Sequence, residues 1–322
     1  GKGSLKITWN TKYKNAKVAV FIGENPDAID YREPAAIAKG KSEVSISGLD
    51  ADTRYYFDVV PSQGPNTVIS ERRVQLEGSV NFRDLGGYQA VDGRRVKWGM
   101  GFRSDNLGRL TVRDVFFLQQ MGIRLVCDFR TPAEIKKLPD RYPQGEYGKS
   151  VQLPIRHGES DPANTFDRIK KGDIDWMTED FMIKGYIKNI ENFAPLWAAF
   201  FKALAEPANR PLVFHCTGGK DRAGVAAALI LLALGVPEET VIRDHGFSNL
   251  YIAAVLERIY DQIRTMGVDP DTISAYFTAP QNAILAVLKH LEKAYGSATN
   301  YLLNKAGVDQ KLLIRLKEDL LE

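Results

Sequence analysis

The sequence predicts an all-β sandwich followed by an α/β domain with a central, mostly parallel sheet flanked by helices. Three patterns predict this fold class. Apolar and polar residues alternate in several short runs near the N-terminus, a spacing typical of half-buried strands. Buried strands then alternate with helices, as in α/β domains. Beyond residue 222 nearly every segment has helical spacing. We place the sandwich at residues 1–77 and the α/β domain at residues 78–322.

The N-terminal strands are predicted from the runs LKITW, KVAVFIG, EVSISGL and RYYFDVV, with Gly, Pro, Asn and Asp between them. Within this part, GLDADTRYYFDVV resembles the fibronectin type III strand that carries a corner tyrosine, here Tyr55. The resemblance implies an immunoglobulin-like sandwich, with room for a binding partner that the sequence does not identify.

The α/β elements follow in order. TVRD begins a helix at Thr111 that ends at Gly122, and IRLVCDF is a buried strand. TPAEIKK begins the next helix, with Thr131 as N-cap, Pro132 in the first turn and Glu134 completing a capping box. PLVFHC is a second buried strand, and the runs NAILAVLKHLEKAY and KLLIRLKEDLL give a helical C-terminal part.

Composition limits the possible functions. The chain has 43 basic and 40 acidic side chains, a net charge of +3, and nucleic-acid-binding proteins usually carry a stronger basic bias. We therefore expect no nucleic-acid partner. No apolar run reaches the length of a membrane span. The two cysteines, Cys127 and Cys216, allow no disulfide framework, and no Cys/His cluster has zinc-binding spacing. No metal and no cofactor are expected.

The segment PLVFHCTGGKDRAG, residues 211–224, joins a buried strand to an apolar helix through a glycine-rich loop. Open α/β sheets bind ligands at the carboxyl ends of their strands, and a helix N-terminus there favours anions. Gly218 and Gly219 let the backbone turn its amides towards a ligand, and the planar fork of Arg222 suits two phosphate oxygens. We interpret the loop as an anion site that holds Cys216 as a nucleophilic thiolate.

Three other interpretations of this loop compete. A nucleotide-binding P-loop is excluded, because Phe214 stands where its first glycine belongs and Asp221 where its Ser or Thr belongs. A sulfurtransferase loop is one residue shorter and has no arginine at this spacing. A buried, inert cysteine at a strand end is the third interpretation. The spacing of Cys216 to Arg222, with two glycines between them, favours the reactive cysteine.

HCTGGKDRAG resembles the Cys-x5-Arg signature of cysteine-dependent phosphatases, in the Gly-Lys-Asp-Arg version of atypical bacterial tyrosine and dual-specificity phosphatases. Some members also take phosphoinositides. NFRDLGGYQAVDGRRVKWGMGFRSDNL and LVCDFRTPAEIKKLPDR resemble the first half of the same catalytic domain. Over residues 79–260 the resemblance implies a cysteine-phosphatase-like domain that acts on phosphotyrosine, with phosphoserine, phosphothreonine or phosphoinositides as further substrates. It also implies a bacterial protein.

The resemblance implies roles for the loop residues. Cys216 attacks phosphorus and forms a cysteinyl-phosphate, His215 orients the loop and tunes the thiol, and Lys220 adds a second cation. Arg222 and the backbone amides hold the equatorial oxygens, and no metal is needed because the loop supplies the charge. The residues implied in phosphate binding are Thr217, Gly218, Gly219, Lys220, Asp221 and Arg222.

The leaving oxygen needs a proton donor, and two aspartates are candidates. Asp221 lies within the loop, and the Gly-Lys-Asp-Arg subgroup is thought to use it. Asp128 ends the neighbouring strand. We favour Asp221 and keep both as catalytic candidates. A charged network beneath the site is expected from the remaining residues of the family pattern, namely Arg83, Asp84, Arg103 and Arg130.

A long segment at about residues 157–190 is predicted to form a lid over the site. Its aromatic residues Trp176, Phe181 and Tyr186 either contact an aryl phosphate or pack the lid against the body. Cys127 is either a core residue or a partner for an oxidised Cys216.

One departure from the family pattern concerns Ala223, which replaces the usual Thr or Ser after the arginine. The missing hydroxyl leaves an alternative function open, a non-enzymatic or slow phosphate-binding module displayed on a cell surface through the sandwich. Because Gly1 stands where methionine is expected, we expect an exported protein of the periplasm or cell surface whose leader has been removed.

Overall fold

The structure is a computed structural model that describes residues 2–10, 16–142, 148–156 and 164–322. It divides the chain into two compact units, Gly1–Val74 and Gln75–Glu322. The division follows Val74, whereas the sequence placed it after Glu77. Backbone N–H groups of Glu77 and Gly78 bind the Asp114 carboxylate at 2.9 Å, so these two residues are part of the second unit.

The first unit consists of two antiparallel sheets, one two-stranded and one four-stranded with the order β3-β2-β5-β6. Both sheets contribute to one apolar core that includes Ile7, Val18, Ile46 and Phe57. Strands predicted from the period-two pattern are present, and β3 and β6 are additional; whether the unit is an immunoglobulin-like sandwich stays a prediction. The strands are β1 (Lys2–Thr8), β2 (Lys17–Gly23), β3 (Ala36–Lys39), β4 (Glu43–Asp50), β5 (Tyr56–Pro61) and β6 (Thr67–Ser70).

The second unit is built on a five-stranded sheet with the order β10-β9-β11-β8-β7. All neighbours pair in parallel except the edge pair of β7 and β8, so the predicted mostly parallel sheet is confirmed. His215 pairs with Ser104 on one side and Asp128 on the other, which brings three strand ends to one edge. The strands are β7 (Arg83–Asp84), β8 (Gly101–Ser104), β9 (Leu125–Asp128), β10 (Lys149–Gln152) and β11 (Leu212–His215).

Helices surround this sheet. The capping box predicted at Thr131 is present, and the helix predicted to begin at Thr111 has a capping box as well. Short 3-10 turns occur at Pro207–Asn209 and Pro270–Ile273, and a π-helical turn at Tyr301–Ala306. The α-helices are α1 (Val112–Gln120), α2 (Pro132–Lys137), α3 (Thr165–Lys170), α4 (Glu179–Asn192), α5 (Ala194–Ala205), α6 (Arg222–Ala233), α7 (Glu238–Thr265), α8 (Ser274–Phe277), α9 (Gln281–Tyr295), α10 (Ala298–Asn300) and α11 (Gln310–Leu320).

An aromatic core fixes the strands that carry the loop after β11. Phe129 packs edge-on against Trp197 and Phe200 of α5 at 5.3 and 5.2 Å, and Phe200 packs against Phe214 at 5.2 Å. Helix α6 is apolar on nearly every face and almost completely buried, as expected of a core helix. The position of its first residue, Arg222, is therefore set by the core. In the described part of the chain, every helix is too short or too polar to cross a bilayer.

Candidate active site

The loop between β11 and α6, residues 216–221, lies at the carboxyl edge of the sheet. Cys216 directly follows β11, and Arg222 is the first residue of α6. The two are buried, with 1% and 3% of their surfaces exposed. The cysteine thus lies at the N-terminal, positive end of a 12-residue helix, where an anion is stabilised.

The carbonyl oxygens of this loop are bound by donors from distant parts of the chain. Among the described residues, none accepts a hydrogen bond from the backbone N–H groups of residues 217–220, so these groups are available to an anion. The donors are Asn106 N and Nδ2 to Thr217 O at 3.1 and 3.2 Å, Asn81 Nδ2 to Gly218 O at 3.0 Å, and Arg103 Nη2 to Gly219 O and Lys220 O at 2.8 and 3.3 Å.

Gly219 has no room for a side chain. Its φ of 67° lies in the left-handed region, and a Cβ atom would lie 2.5 Å from the backbone of Ser104 and Asp105. Gly218 differs, because a Cβ atom there would meet only the flexible side chain of Lys220, at 3.6 Å or more. The two glycines were predicted to have the same role, whereas only Gly219 of this pair is required by its conformation and contacts.

Asp221 occupies the N-cap position of α6, yet its carboxylate does not cap the helix. An N-cap aspartate usually accepts a hydrogen bond from the first turn. Here Oδ1 accepts the Tyr186 O–H at 2.8 Å, and both oxygens bind the Lys220 ammonium at 2.9 and 2.8 Å. Because the carboxylate is held aside, it does not compete with an anion for the first helical turn. Its side chain is 18% exposed.

Arg222 is held by Glu134 in a bidentate ion pair. Nη1 and Nη2 each lie 2.7 Å from a different oxygen of Glu134. Burial alone would lower the pKa of Arg222, but the hydrogen bonds that it donates to Glu134 and the charge of Cys216 raise it, so the guanidinium stays charged. The Nε atom is buried and has no hydrogen-bond partner among the described residues. One N–H of the guanidinium is therefore available to a ligand oxygen.

Glu134 is a site residue that the sequence did not reveal. Burial would raise the pKa of its carboxyl, but hydrogen bonds and charge from Arg222 outweigh burial and lower the pKa to about 2. The carboxylate also accepts hydrogen bonds from Thr217 Oγ1 and from Thr131 N, the second at 2.8 Å. The predicted capping box at Thr131 is correct. The contact with Arg222 spans 88 positions, and a local capping pattern carries no information about it.

Asp128, the second candidate acid, is committed to an ion pair. Arg130 binds its two oxygens at 2.8–3.1 Å and Asp140 at 2.8 Å. Nε2 of His215 lies 3.0 Å from Asp140 Oδ2, although the approach is not that of a hydrogen bond. Nδ1 of His215 lies 3.3 Å from Cys216 O. His215 therefore lies between these carboxylates and Cys216, and its loop-orienting role stays a prediction.

The cluster of Asp128, Asp140 and His215 has the donor set of a metal site, with ligand atoms within 4.8 Å of one another. Burial would raise the pKa of Asp140, but His215 and Arg130 lower it, so the carboxylate is ionised. Arg130 already binds both carboxylates and supplies the positive charge that a metal ion would otherwise bring. We assign the cluster to the positioning of His215 and derive no metal chemistry from it.

The charged residues predicted beneath the site are buried there, but they form separate clusters instead of one network. Asp244 binds Arg103 at 2.6 Å and Arg83 at 3.3 Å. Burial and repulsion from Arg103 lower the pKa of Arg83 to about 10, so the Arg83 guanidinium remains charged at neutral pH. Asp84 instead accepts two backbone N–H groups of glycines, at 2.7 and 2.8 Å. Asp244 lies on α7 and was not recognised from the sequence.

Part of the predicted lid, residues 157–163, lies outside the described residues. The remainder includes α3 and most of α4. Trp176 packs edge-on against Phe181 at 4.9 Å and against Tyr276 of α8 at 5.2 Å. Two of the three predicted aromatic residues therefore pack within the lid region itself.

The loop is contacted by a residue of the lid region and by a residue of α8. The fully buried Tyr186 of α4 donates to Asp221, which leaves its ring no exposed face for a substrate. Lys220 Nζ donates to the carbonyl of Tyr276 at 2.9 Å and is 8% exposed. The second loop cation is thus covered by α8 in this structure.

Ala223 and Cys127 are both completely buried. Cys127 pairs with Phe214 in the sheet, and burial, with a smaller effect of Asp128, raises the pKa of its thiol to about 12. Cys127 is therefore a neutral thiol of the core at physiological pH. Ala223 has no hydroxyl to offer to Cys216.

Comparisons with known proteins agree on one relationship. A family model described as the tyrosine phosphatase family matches residues 74–322. A candidate tyrosine-protein phosphatase of Cupriavidus necator is 30% identical over 71% of this chain and 82% of its own. A tyrosine-protein phosphatase of Nostoc commune is 27% identical over 67% of this chain and 72% of its own. A triple-specificity protein phosphatase of Mycobacterium tuberculosis is 25% identical over 77% of this chain and 98% of its own.

The two loop glycines give a matched pair of variants. Gly219→Ala should weaken the binding of inorganic phosphate at least tenfold, because the side chain forces the backbone away from Ser104 and Asp105. Gly218→Ala should change it less than threefold (roughly 0.65 kcal/mol or less). Calorimetric titration of both variants measures this, and equal losses would contradict the distinct roles of the two glycines.

Glu134→Gln should lower the free energy of unfolding by about 3 kcal/mol at pH 7, because it leaves Arg222 buried without its counterion. The folded-state pKa of about 2 lies below the usual 4.5. This contribution is therefore complete above pH 4.5 and is lost as the pH falls through 2. Urea unfolding at several pH values should show the two proteins converging at low pH.

Glu191→Gln is the matched control for Glu134→Gln. Burial would raise the pKa of Glu191, but His290, Tyr295 and Lys305 lower it to about 2. Both variants should lose stability, and only Glu134→Gln should also lose phosphate affinity. Unchanged phosphate binding in Glu134→Gln would show that Arg222 keeps its position without this partner.

Proposed function

Because this chain belongs to the tyrosine phosphatase family and is a protein tyrosine phosphatase, we propose that it hydrolyses phosphotyrosine through a cysteinyl-phosphate on Cys216. One observation carries this proposal. Cys216 lies in a loop whose carbonyl oxygens are bound from outside, and among the described residues none accepts a hydrogen bond from the N–H groups of residues 217–220 or from Nε of Arg222, so these groups can bind a phosphoryl group. Such an arrangement stabilises a transferring phosphoryl group without metal.

In the first step the Cys216 thiolate attacks phosphorus. An S–P bond forms while the bond from phosphorus to the phenolic oxygen breaks. The phenolic oxygen takes a proton from Asp221, and the equatorial oxygens are held by Arg222 and the loop amides. The fixed donors act on charge as it develops, which is where preorganised hydrogen bonds accelerate a reaction.

In the second step a water molecule attacks the cysteinyl-phosphate. Asp221, now a carboxylate, accepts a proton from that water, the S–P bond breaks, and inorganic phosphate and the Cys216 thiolate are released. The departing thiolate gains charge in this step. Ala223 donates no hydrogen bond to it, so we propose that this step limits turnover.

The choice of Asp221 as the acid is supported by its surroundings. Asp221 belongs to the loop and has part of its side chain exposed. Asp128 is only 4% exposed, and Arg130 binds both of its oxygens. Asp221 is also paired, through the Lys220 ammonium, but a planar guanidinium bound at both oxygens holds a carboxylate in its charged form more firmly than an ammonium does, so Asp128 is the poorer proton donor.

The substrate range is proposed as broader than phosphotyrosine. The relative from Mycobacterium tuberculosis is named for triple specificity, and we propose that this chain also accepts phosphoserine, phosphothreonine or a phosphoinositide. Its loop binds the phosphoryl group through backbone and cationic groups common to all these substrates. Assays with a panel of phosphopeptides and phosphoinositides test this range directly.

A slow or non-enzymatic phosphate-binding module is the second candidate. Ala223 favours it, since the missing hydroxyl slows the release of phosphate from cysteine. An aryl-phosphate assay with chelator present separates the two functions, because only the enzyme turns over.

Cys216→Ser should fold, bind phosphate with affinity close to the parent and lose turnover by several orders of magnitude. Cys127→Ser is the matched control and should keep turnover in its folded fraction, because its thiol is a core group. Mass analysis of the acid-quenched parent should find phosphate on Cys216. Turnover retained in Cys216→Ser would exclude the covalent mechanism.

Asp221→Asn should lower kcat for aryl phosphates with poor leaving groups by about 100-fold or more and flatten the basic limb of the pH–rate profile. Asp128→Asn should have the smaller effect. Substrates with good leaving groups need little protonation, so both variants should approach the parent on them. A larger loss in Asp128→Asn on poor leaving groups would transfer the acid role to Asp128.

A further inference from the structure

Tyr186 connects the loop to a buried histidine on another helix. Its hydroxyl lies 2.8 Å from Asp221 Oδ1 and 3.0 Å from Nε2 of His245 on α7. Tyr186 is fully buried and His245 is 1% exposed. Neither residue belongs to the loop, and the three side chains form one continuous hydrogen-bonded chain.

The protons of the hydrogen-bonded series Asp221–Tyr186–His245 can each be assigned to an atom. Burial, then the charge and hydrogen bond of Asp221, raise the pKa of Tyr186 well above 10, so the phenol keeps its proton. Burial, then the charge of Arg103, lower the pKa of His245 to about 3, so the imidazole is neutral with one N–H.

The single N–H of His245 is on Nε2. Nδ1 is buried and has no hydrogen-bond partner among the described residues, and a buried N–H without an acceptor is the rarer and costlier arrangement. Nε2 therefore donates to the phenolic oxygen. Because that oxygen has a single hydrogen, the Tyr186 O–H is directed at Asp221 Oδ1.

We propose that Tyr186, oriented by His245, is the positioning residue that fixes the general acid and stabilises it after proton transfer. This inference rests on the proposed role of Asp221. As Asp221 passes its proton to the leaving oxygen, negative charge appears on the carboxylate and the hydrogen bond from Tyr186 strengthens. Tyr186 keeps its own proton throughout. In the second step the carboxylate takes a proton from water, and the hydrogen bond weakens again.

Lys220 does not make Tyr186 redundant. Its ammonium also binds Asp221, but it carries a charge and belongs to the anion-binding loop, so a phosphate dianion in that loop competes electrostatically with Asp221 for it. Tyr186 is neutral and lies beneath the loop, so it holds Asp221 whether or not substrate is bound. Within the described part of the chain, other charged or titratable groups that interact with Asp221, Tyr186 or His245 include Cys216, Arg222, Tyr276, Arg103, Asp244 and Arg83.

The test is the pH profile of kcat/KM for Tyr186→Phe with phenyl phosphate, a substrate with a poor leaving group. Loss of the donor favours the protonated carboxyl, so the basic limb should move to higher pH by about one unit or more. Asp221 also becomes a weaker acid, so the rate on the low-pH plateau should fall several-fold. The two profiles should therefore converge or cross, whereas a folding defect lowers the whole profile without moving its limb.

Tyr301→Phe is the matched control, because Tyr301 is also fully buried but donates to the backbone oxygen of Ile190 at 2.7 Å. Its limb should stay at the pH of the parent. His245→Leu should move the limb upwards by less than Tyr186→Phe does. His245→Gln, which keeps an N–H donor, should restore the parent profile. These variants keep the proposal testable if Tyr186→Phe folds poorly.

Asp221→Asn, measured in parallel, distinguishes a failure of the positioning role of Tyr186 from a failure of the acid role of Asp221. If Asp221→Asn loses the basic limb while Tyr186→Phe and His245→Leu leave it at the pH of the parent, the inference about Tyr186 is wrong and the acid assignment stands. If Asp221→Asn keeps the limb of the parent, both fail. A limb moved upwards in Tyr186→Phe and absent in Asp221→Asn supports both.

Discussion

In the loop of residues 216–221, each backbone carbonyl oxygen that points away from the anion site must accept a hydrogen bond from elsewhere in the protein. Backbone polar groups cannot be left unpaired in a protein interior, so amides can be offered to a ligand only if the carbonyl oxygens are bound elsewhere. Asn81, Arg103 and Asn106 meet this requirement. All three come from the segment around β7 and β8, which explains why a site centred on residues 216–222 depends on residues more than a hundred positions earlier.

The same requirement determines where charge is buried. Arg83, Arg103, Arg130 and Arg222 are all nearly inaccessible, and each is bound to a carboxylate. Buried ion pairs contribute little net stability compared with apolar packing, so their number here is better explained by geometry. A planar guanidinium paired at two atoms has one orientation. These pairs hold donors at fixed directions around a point where negative charge arrives.

The sequence predicted features that depend on neighbouring residues and missed those made by distant ones. Strands, the capping boxes and the loop from Cys216 to Arg222 follow from local periodicity and short-range chemistry. The Glu134–Arg222 pair, Asp244 and the hydroxyl of Tyr186 were not predicted, because each depends on how helices and strands meet in three dimensions. Tyr186 was placed in the lid for its ring, whereas its hydroxyl makes the contact with the loop. A pattern of residue types does not distinguish these two uses of a tyrosine.

Glu134 has one further consequence. Helix α2 has only six residues, too few to be stable alone, and its first turn is held by the carboxylate that also holds Arg222. Fraying of α2 and release of the arginine are therefore one event. The exchange of the Glu134 amide hydrogen for solvent deuterium would then report how often the anion site comes apart, and a bound oxyanion would slow that exchange in a helix it does not touch.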